Sequence, residues 1–220
     1  MSRSDAPRVA PPQLPALSGV EAGADADGEP YAEALLSWSV AEASATGAEI
    51  SDSRLVGLPT DRLHSPRLRL SEVEVAGPAV IDWDAARSNW RGVAVSGGSI
   101  GVLDASGSQW NNVCLDGVRI GYLNLREAKL SDVRLSGCRI GTLDLAAATT
   151  ARVALQECVI EDLDVRNHKA EHLDLRGLDV GRLNRLEGAQ SLAGAILAED
   201  QASRLGPLLA RALRIAVEDR

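Results

Sequence analysis

Asp84, Asp104, Asn124, Asp144, Asp164 and Asn184 follow one another at intervals of twenty residues. Carboxylates repeated this way can do one of two things. Stacked on one edge about 5 Å apart, the spacing of neighbouring β-strands, they would form an acidic stripe facing a basic partner. Alternatively, Asp and Asn at a turn bond main-chain N–H groups close by, as in Asx-turns. Of the column, Asp84, Asp104, Asp144 and Asp164 are the candidate acidic stripe. Arg87, Arg126 and Arg166 stand two or three residues away and dilute its field.

Other residue sets suggest chemistry and then lose it to context. Gly97-Gly98-Ser99-Ile100-Gly101 spells Gly-x-Ser-x-Gly, but that nucleophile pattern needs a strand before the Ser and a helix after it. His168 and His172 have the i, i+4 spacing that suits zinc on a helix, whereas here one would point inward and the other outward. Cys138 and Cys158 lie twenty apart and read as two buried thiols; Cys114 falls on an outward place. No Walker or Rossmann loop is present. These readings imply no catalytic residue, no metal and no cofactor, hence no enzyme.

The elements that would position these side chains follow from a double periodicity. From residue 103 the chain stacks in blocks of twenty: LDASGSQWNNVCLDGVRIGY, LNLREAKLSDVRLSGCRIGT, LDLAAATTARVALQECVIED, LDVRNHKAEHLDLRGLDVGR. Within each block runs a beat of five, with apolar residues at the third and fifth places. Between 100 and 183 those places hold 34 residues, of which only Ser108, Thr150 and His168 are not apolar. A helix cannot seat this beat, because five residues advance about 500°. Alternation with a period of two fails as well. A chain that turns a corner every five residues fits, with two inward side chains per side and four sides per coil. Followed back, the beat covers residues 33–185, seven to eight turns, or a rod about 35 Å long.

Within the coil, large residues partner small ones: Ser88/Trp90 and Ser108/Trp110 lead to Ala128/Leu130, which predicts that Trp90 and Trp110 stack in adjacent coils. The glycines Gly97, Gly117, Gly137 and Gly177, and Gly101, Gly121, Gly141 and Gly181, fall at corners and are expected to supply positive φ. The beat loosens between Gly77 and Trp83, predicting a distorted corner without a break. Residues 1–32, rich in Pro, Ala, Gly and acid, read as a disordered arm. Residues 186–220 turn helical. Glu199 and Asp200 open one helix, Gly206-Pro207 a second, and together they cap the last coil and can join two copies.

Net charge is −8, unevenly placed. Residues 1–42 carry seven acids and two bases; residues 43–185 carry nineteen and seventeen. The repeat body is close to neutral, so the basic footprint of direct nucleic-acid binding is missing. No signal-like start and no run of eighteen apolar residues point to export or a membrane, and the three Cys fit a reducing cytoplasm.

Ala128-Lys129-Leu130-Ser131-Asp132, Leu143-Asp144-Leu145-Ala146-Ala147 and Leu173-Asp174-Leu175-Arg176-Gly177 resemble the pentapeptide-repeat family, although Phe is absent and Leu or Val often replaces the small first residue. The resemblance implies an all-β solenoid, a right-handed quadrilateral β-helix with a short α-helical cap. The tail LAGAILAEDQASRLGPLLARALRIAV is similar to the ending of quinolone-resistance pentapeptide proteins, where it forms a dimer junction. That likeness makes Leu205, Leu208, Leu209, Leu213 and Ile215 junction candidates for a homodimer. It also implies a DNA mimic that binds a type II topoisomerase such as gyrase and confers resistance to gyrase inhibitors. Bases interleaved at Arg119, Arg134, Arg139 and Arg152 run against mimicry. The expected function is therefore a non-catalytic, rigid protein-binding scaffold in the cytoplasm, with the gyrase-binding mimic as the alternative.

Overall fold

In the computed structural model, which describes residues 6–216, each coil supplies one strand to each of two parallel sheets. The first sheet contains β1 (Ser18–Ala22), β2 (Pro30–Ala32), β3 (Ala34–Trp38), β5 (Glu49–Val56), β7 (Arg69–Ala76), β9 (Asn89–Ser96), β11 (Gln109–Asp116), β13 (Lys129–Ser136), β15 (Thr149–Gln156) and β17 (Lys169–Asp174). The second contains β4 (Glu42–Ser44), β6 (Arg62–His64), β8 (Ala79–Asp84), β10 (Ser99–Asp104), β12 (Arg119–Asn124), β14 (Arg139–Asp144), β16 (Val159–Asp164) and β18 (Arg185–Glu187). Its eight strands mark eight turns. Successive strands pair at an offset of twenty over most of the rod, so Leu103, Leu123, Leu143 and Leu163 pile into one file.

Each sheet bends into two walls at a residue that drops out of the ladder. In the first sheet Asn111 pairs with Ser131 and Val113 with Val133, skipping Asn112 and Asp132 at φ 56° and 54°. In the second, Ile100 pairs with Ile120 and Val102 with Tyr122, skipping Gly101 and Gly121. The two Gly files have different physical reasons. Gly97, Gly117 and Gly137 have positive φ, as expected; Glu157 continues their place at φ 53°. Gly101, Gly121 and Gly141 do not, which corrects the reading of them as positive-φ corners. A Cβ on Gly121 would lie 2.6 Å from the Gly101 carbonyl oxygen, so here Gly permits close approach of one coil to the next. Gly177 likewise lacks positive φ and abuts the Leu155 carbonyl.

The core is the inward set. Trp90 and Trp110 stack with centroids 4.7 Å apart and planes 8° from parallel, as expected, and Trp83 tilts against Trp90 at 5.6 Å. Ser108, Thr150 and His168 are buried with the rest. The Thr150 hydroxyl sits 3.1 Å from His168 Nε2. The Gly77–Trp83 stretch is regular; the irregularity lies one coil on, where Gly98 (φ 76°) stands too close to Pro78 for any Cβ.

Two expectations fail at the ends. Residues 18–32, assigned to the arm, carry β1 and β2; β1 pairs along β3 and β2 along β5. There the chain meets strand edges that satisfy its main-chain groups, so composition did not decide the outcome. The C-terminal helix is single: α1 (Glu199–Ala212) runs through Pro207. Leu205 before the proline and Leu208 and Leu209 after it pack on the same core, which holds both halves in line despite the lost N–H.

Candidate functional site

The Asp column is real as geometry. Asp84, Asp104, Asn124, Asp144 and Asp164 occupy successive rungs of the second sheet. Asn184 does not join them. A 3-10 turn at Val180–Arg182 inserts three residues, so Leu186 seats beside Leu163 and Glu187 beside Asp164.

Every member clasps its own turn. Oδ1 accepts from the N–H two residues on: Ala86 at 3.0 Å, Ser106 at 2.9 Å, Arg126 at 3.1 Å, Ala146 at 2.9 Å and Arg166 at 3.0 Å. Second partners take up more of the charge. His64 Nδ1 lies 2.9 Å from Asp84, and Asn124 Nδ2 donates to Asp104 at 3.0 Å. Tyr122 and Arg126 both donate to Asp144, at 3.0 and 3.1 Å, and Arg166 forks onto Asp164. Burial raises the Asp164 carboxyl, but the Arg166 guanidinium and main-chain N–H outweigh it and hold the group below its ordinary value. Burial and the Asp144 bond push the Tyr122 phenol up. The column is a ladder of turn clasps and cation pairs, so bare like charge is not what it presents.

The other motifs resolve simply. Ser99 lies within β10, in register with Ala79 and Arg119, so no elbow lifts it. His168 is buried; burial lowers its pKa and favours neutral imidazole. Cys138 and Cys158 are buried free thiols donating to main-chain carbonyls, and the neighbouring Cys158 together with burial pushes the Cys138 thiol up. Among the described residues no three His, Cys, Asp or Glu side chains cluster as metal ligands.

The five junction candidates separate. Leu205 is buried at 2% exposure inside its own chain, because α1 must cover the apolar last coil, and so it is withdrawn from any surface. Leu208 and Leu209 are half-buried against the core. Leu213 and Ile215 remain outward, 46% and 57% exposed. Val217, four residues beyond Leu213 in the sequence, lies outside the described residues.

Two features had no role in the sequence reading. Gln201 is buried; its amide donates to the carbonyls of Leu175 at 2.9 Å and Leu178 at 2.8 Å, while its oxygen accepts from Ala198 N–H. It closes the open main chain of the last coil, and its place three residues into the helix is the available signal. Asp132 takes a two-pronged bond from Arg152, at 2.8 and 2.6 Å, one coil away. Arg152 holds the Asp132 carboxyl below its usual value.

The fold and these surfaces define a class: a four-sided parallel β-solenoid on a five-residue beat, sealed by one helix. Among solved structures it is similar to two trypsin-treated variants of QnrB1, a plasmid-mediated fluoroquinolone resistance protein. One matches at 17% identity over 92% of this chain and 100% of that one, with a TM-score of 0.31. The other matches at 17% over 92% and 98%, with a TM-score of 0.26. Likeness at that level carries no functional argument. No protein-family profile and no curated protein matches the chain.

Proposed function

We propose that this chain is a non-catalytic cytoplasmic scaffold that binds a protein partner on its walls and pairs with a second copy through the end of α1. The carrying observation is what the molecule offers outward. Its walls are flat ladders whose acids are largely engaged by turns and arginines, and beside the sealed end stand the exposed Leu213 and Ile215. Surface of this kind serves contact; catalysis calls for a cleft that excludes water and shifts a pKa. Leu213→Asp with Ile215→Asp should convert a dimer to a monomer by light scattering; an unaltered mass in a folded double variant rejects the junction.

The narrower reading, a DNA mimic that binds gyrase and confers resistance to its inhibitors, draws on the tail resemblance. It asks for bare acids, and the column from Asp84 to Asp164 supplies clasped ones. A gyrase supercoiling assay, with and without a quinolone, separates the readings. Inhibition or protection at micromolar protein supports the mimic, and neither leaves the general scaffold.

A further inference from the structure

The first described residues run as an extended strap along one corner of the solenoid. Arg8 N–H donates to Asp132 Oδ1 at 2.9 Å and Ala10 N–H to Asn112 Oδ1 at 2.9 Å. Asn112 and Asp132 are corner residues one coil apart, both skipped by the strand ladder, and Asp132 Oδ1 accepts from Arg8 N–H as well as from Arg152. The strap thus moves two residues for every coil. Gly92, one coil before Asn112, holds the same corner place at φ 62°, and there the Glu72 carboxylate fills the space a side chain would take. Pro12 is buried, and Pro7, Val9, Leu14 and Leu17 are half-buried while Arg8, Ala10 and Gln13 face out. Main-chain donors two residues apart in the strap meet side-chain acceptors one coil apart in the corner.

We propose that this corner is a docking channel for an extended, proline-containing peptide, and that residues 7–17 are its intramolecular occupant. The partner it fits is a protein segment with free main-chain N–H groups at alternate residues, apolar side chains near them and a cation beside the Asp132 end, as Arg8 provides. The strap is built to be exchanged. Among the described residues it joins no sheet before β1 begins at Ser18, and the two hydrogen bonds it makes to the corner run to side chains. It can lift away without opening a single rung of the coil. A tethered occupant competes at an effective concentration on the order of millimolar, so an outside peptide must exceed it or find the strap weakened.

The inference concerns the corner alone, so its failure leaves the scaffold and its junction untouched. The probe is a fluorescent peptide of residues 6–17, titrated by anisotropy against the full chain. In Arg8→Pro with Ala10→Pro the resident strap loses both donors while the channel stays intact. This variant should bind the peptide at least tenfold tighter than the unaltered chain. Adding Asn112→Gly, which copies Gly92 and suits the positive φ, should weaken that binding several-fold. Circular dichroism confirms that each variant keeps its sheets. Equal binding by the unaltered chain and the double-proline variant, no loss on Asn112→Gly, or no saturable binding to any of them would overturn the proposal.

Discussion

Shortening Leu143 to Ala tests the file on which the solenoid is built. Leu143 is 2% exposed and sits between Leu123 and Leu163. It also lines a small apolar cavity of about 20 Å³, shared with Leu125, Leu145, Val153 and Leu163. That space is large enough for one water but lined only by hydrocarbon, so it stays dry. Buried Leu→Ala changes cost about 2 to 5 kcal/mol, with the upper values where neighbours fail to close the gap. Here the neighbours are held one coil apart by main-chain ladders, and the new void merges with the old. The expected loss is therefore about 4 kcal/mol. Val153→Ile works the same cavity in the opposite sense. One buried methylene is worth about 0.8 kcal/mol before strain, so a gain of about 0.5 kcal/mol is expected. Urea unfolding would be followed by far-ultraviolet circular dichroism and by the fluorescence of Trp83, Trp90 and Trp110, which lie in earlier coils. Shared midpoints mean that the rod melts as a unit. A loss of under ~1 kcal/mol for Leu143→Ala, or destabilisation by Val153→Ile, would refute the account of a thin core unable to collapse.

Ser108 Oγ is fully buried with no partner among the described residues, while Ala128 and Ala148 hold the same place in later coils; Ser108→Ala should raise stability by about 1 kcal/mol in urea melts. His168 has a pKa lowered by burial, so the unfolded chain takes up its proton at higher pH than the folded one. Stability should therefore decline as pH falls below about 6.5, and His168→Gln should flatten that slope in melts from pH 7.5 to 5. Asp132 behaves as the depressed carboxylate it is: its contribution is present above the ordinary carboxylate value and is lost as pH falls below about 4 toward its lowered pKa, a loss that Arg152→Ala should remove. Gln201→Leu removes the side-chain donor from the Leu175 and Leu178 carbonyls, which keep the N–H groups of Leu178 and Val180, and faster amide exchange in β17 with a loss of about 1 kcal/mol is expected.

Much of this was legible because a solenoid repeats its physics every twenty residues. The Leu103 file and the Trp90–Trp110 stack follow from side-chain volume at fixed places, and neighbouring coils enforce them. The Asp column was half legible. Its spacing was plain, but clasp and bare stripe differ only in whether an N–H two residues on points back, which is a matter of conformation. The three-residue insertion before β18 was hidden because Leu183 and Leu186 are the same residue type, and either continues the beat by eye. Gly101 and Gly97 looked alike for a similar reason; one answers to φ and the other to a carbonyl in the adjacent coil. The strap was illegible by composition, since its footing lies on acceptors more than a hundred residues away.

Gln201 and α1 have a consequence for assembly. Parallel rungs left open at a rod's end are a template on which another rod could add indefinitely, giving fibres. With those terminal carbonyls already occupied and the apolar remainder displaced to Leu213 and Ile215 at one side, end-on growth at that end is blocked. An isologous contact through that displaced patch would close at two copies, so the side chains that finish the fold would also set the size of such a particle.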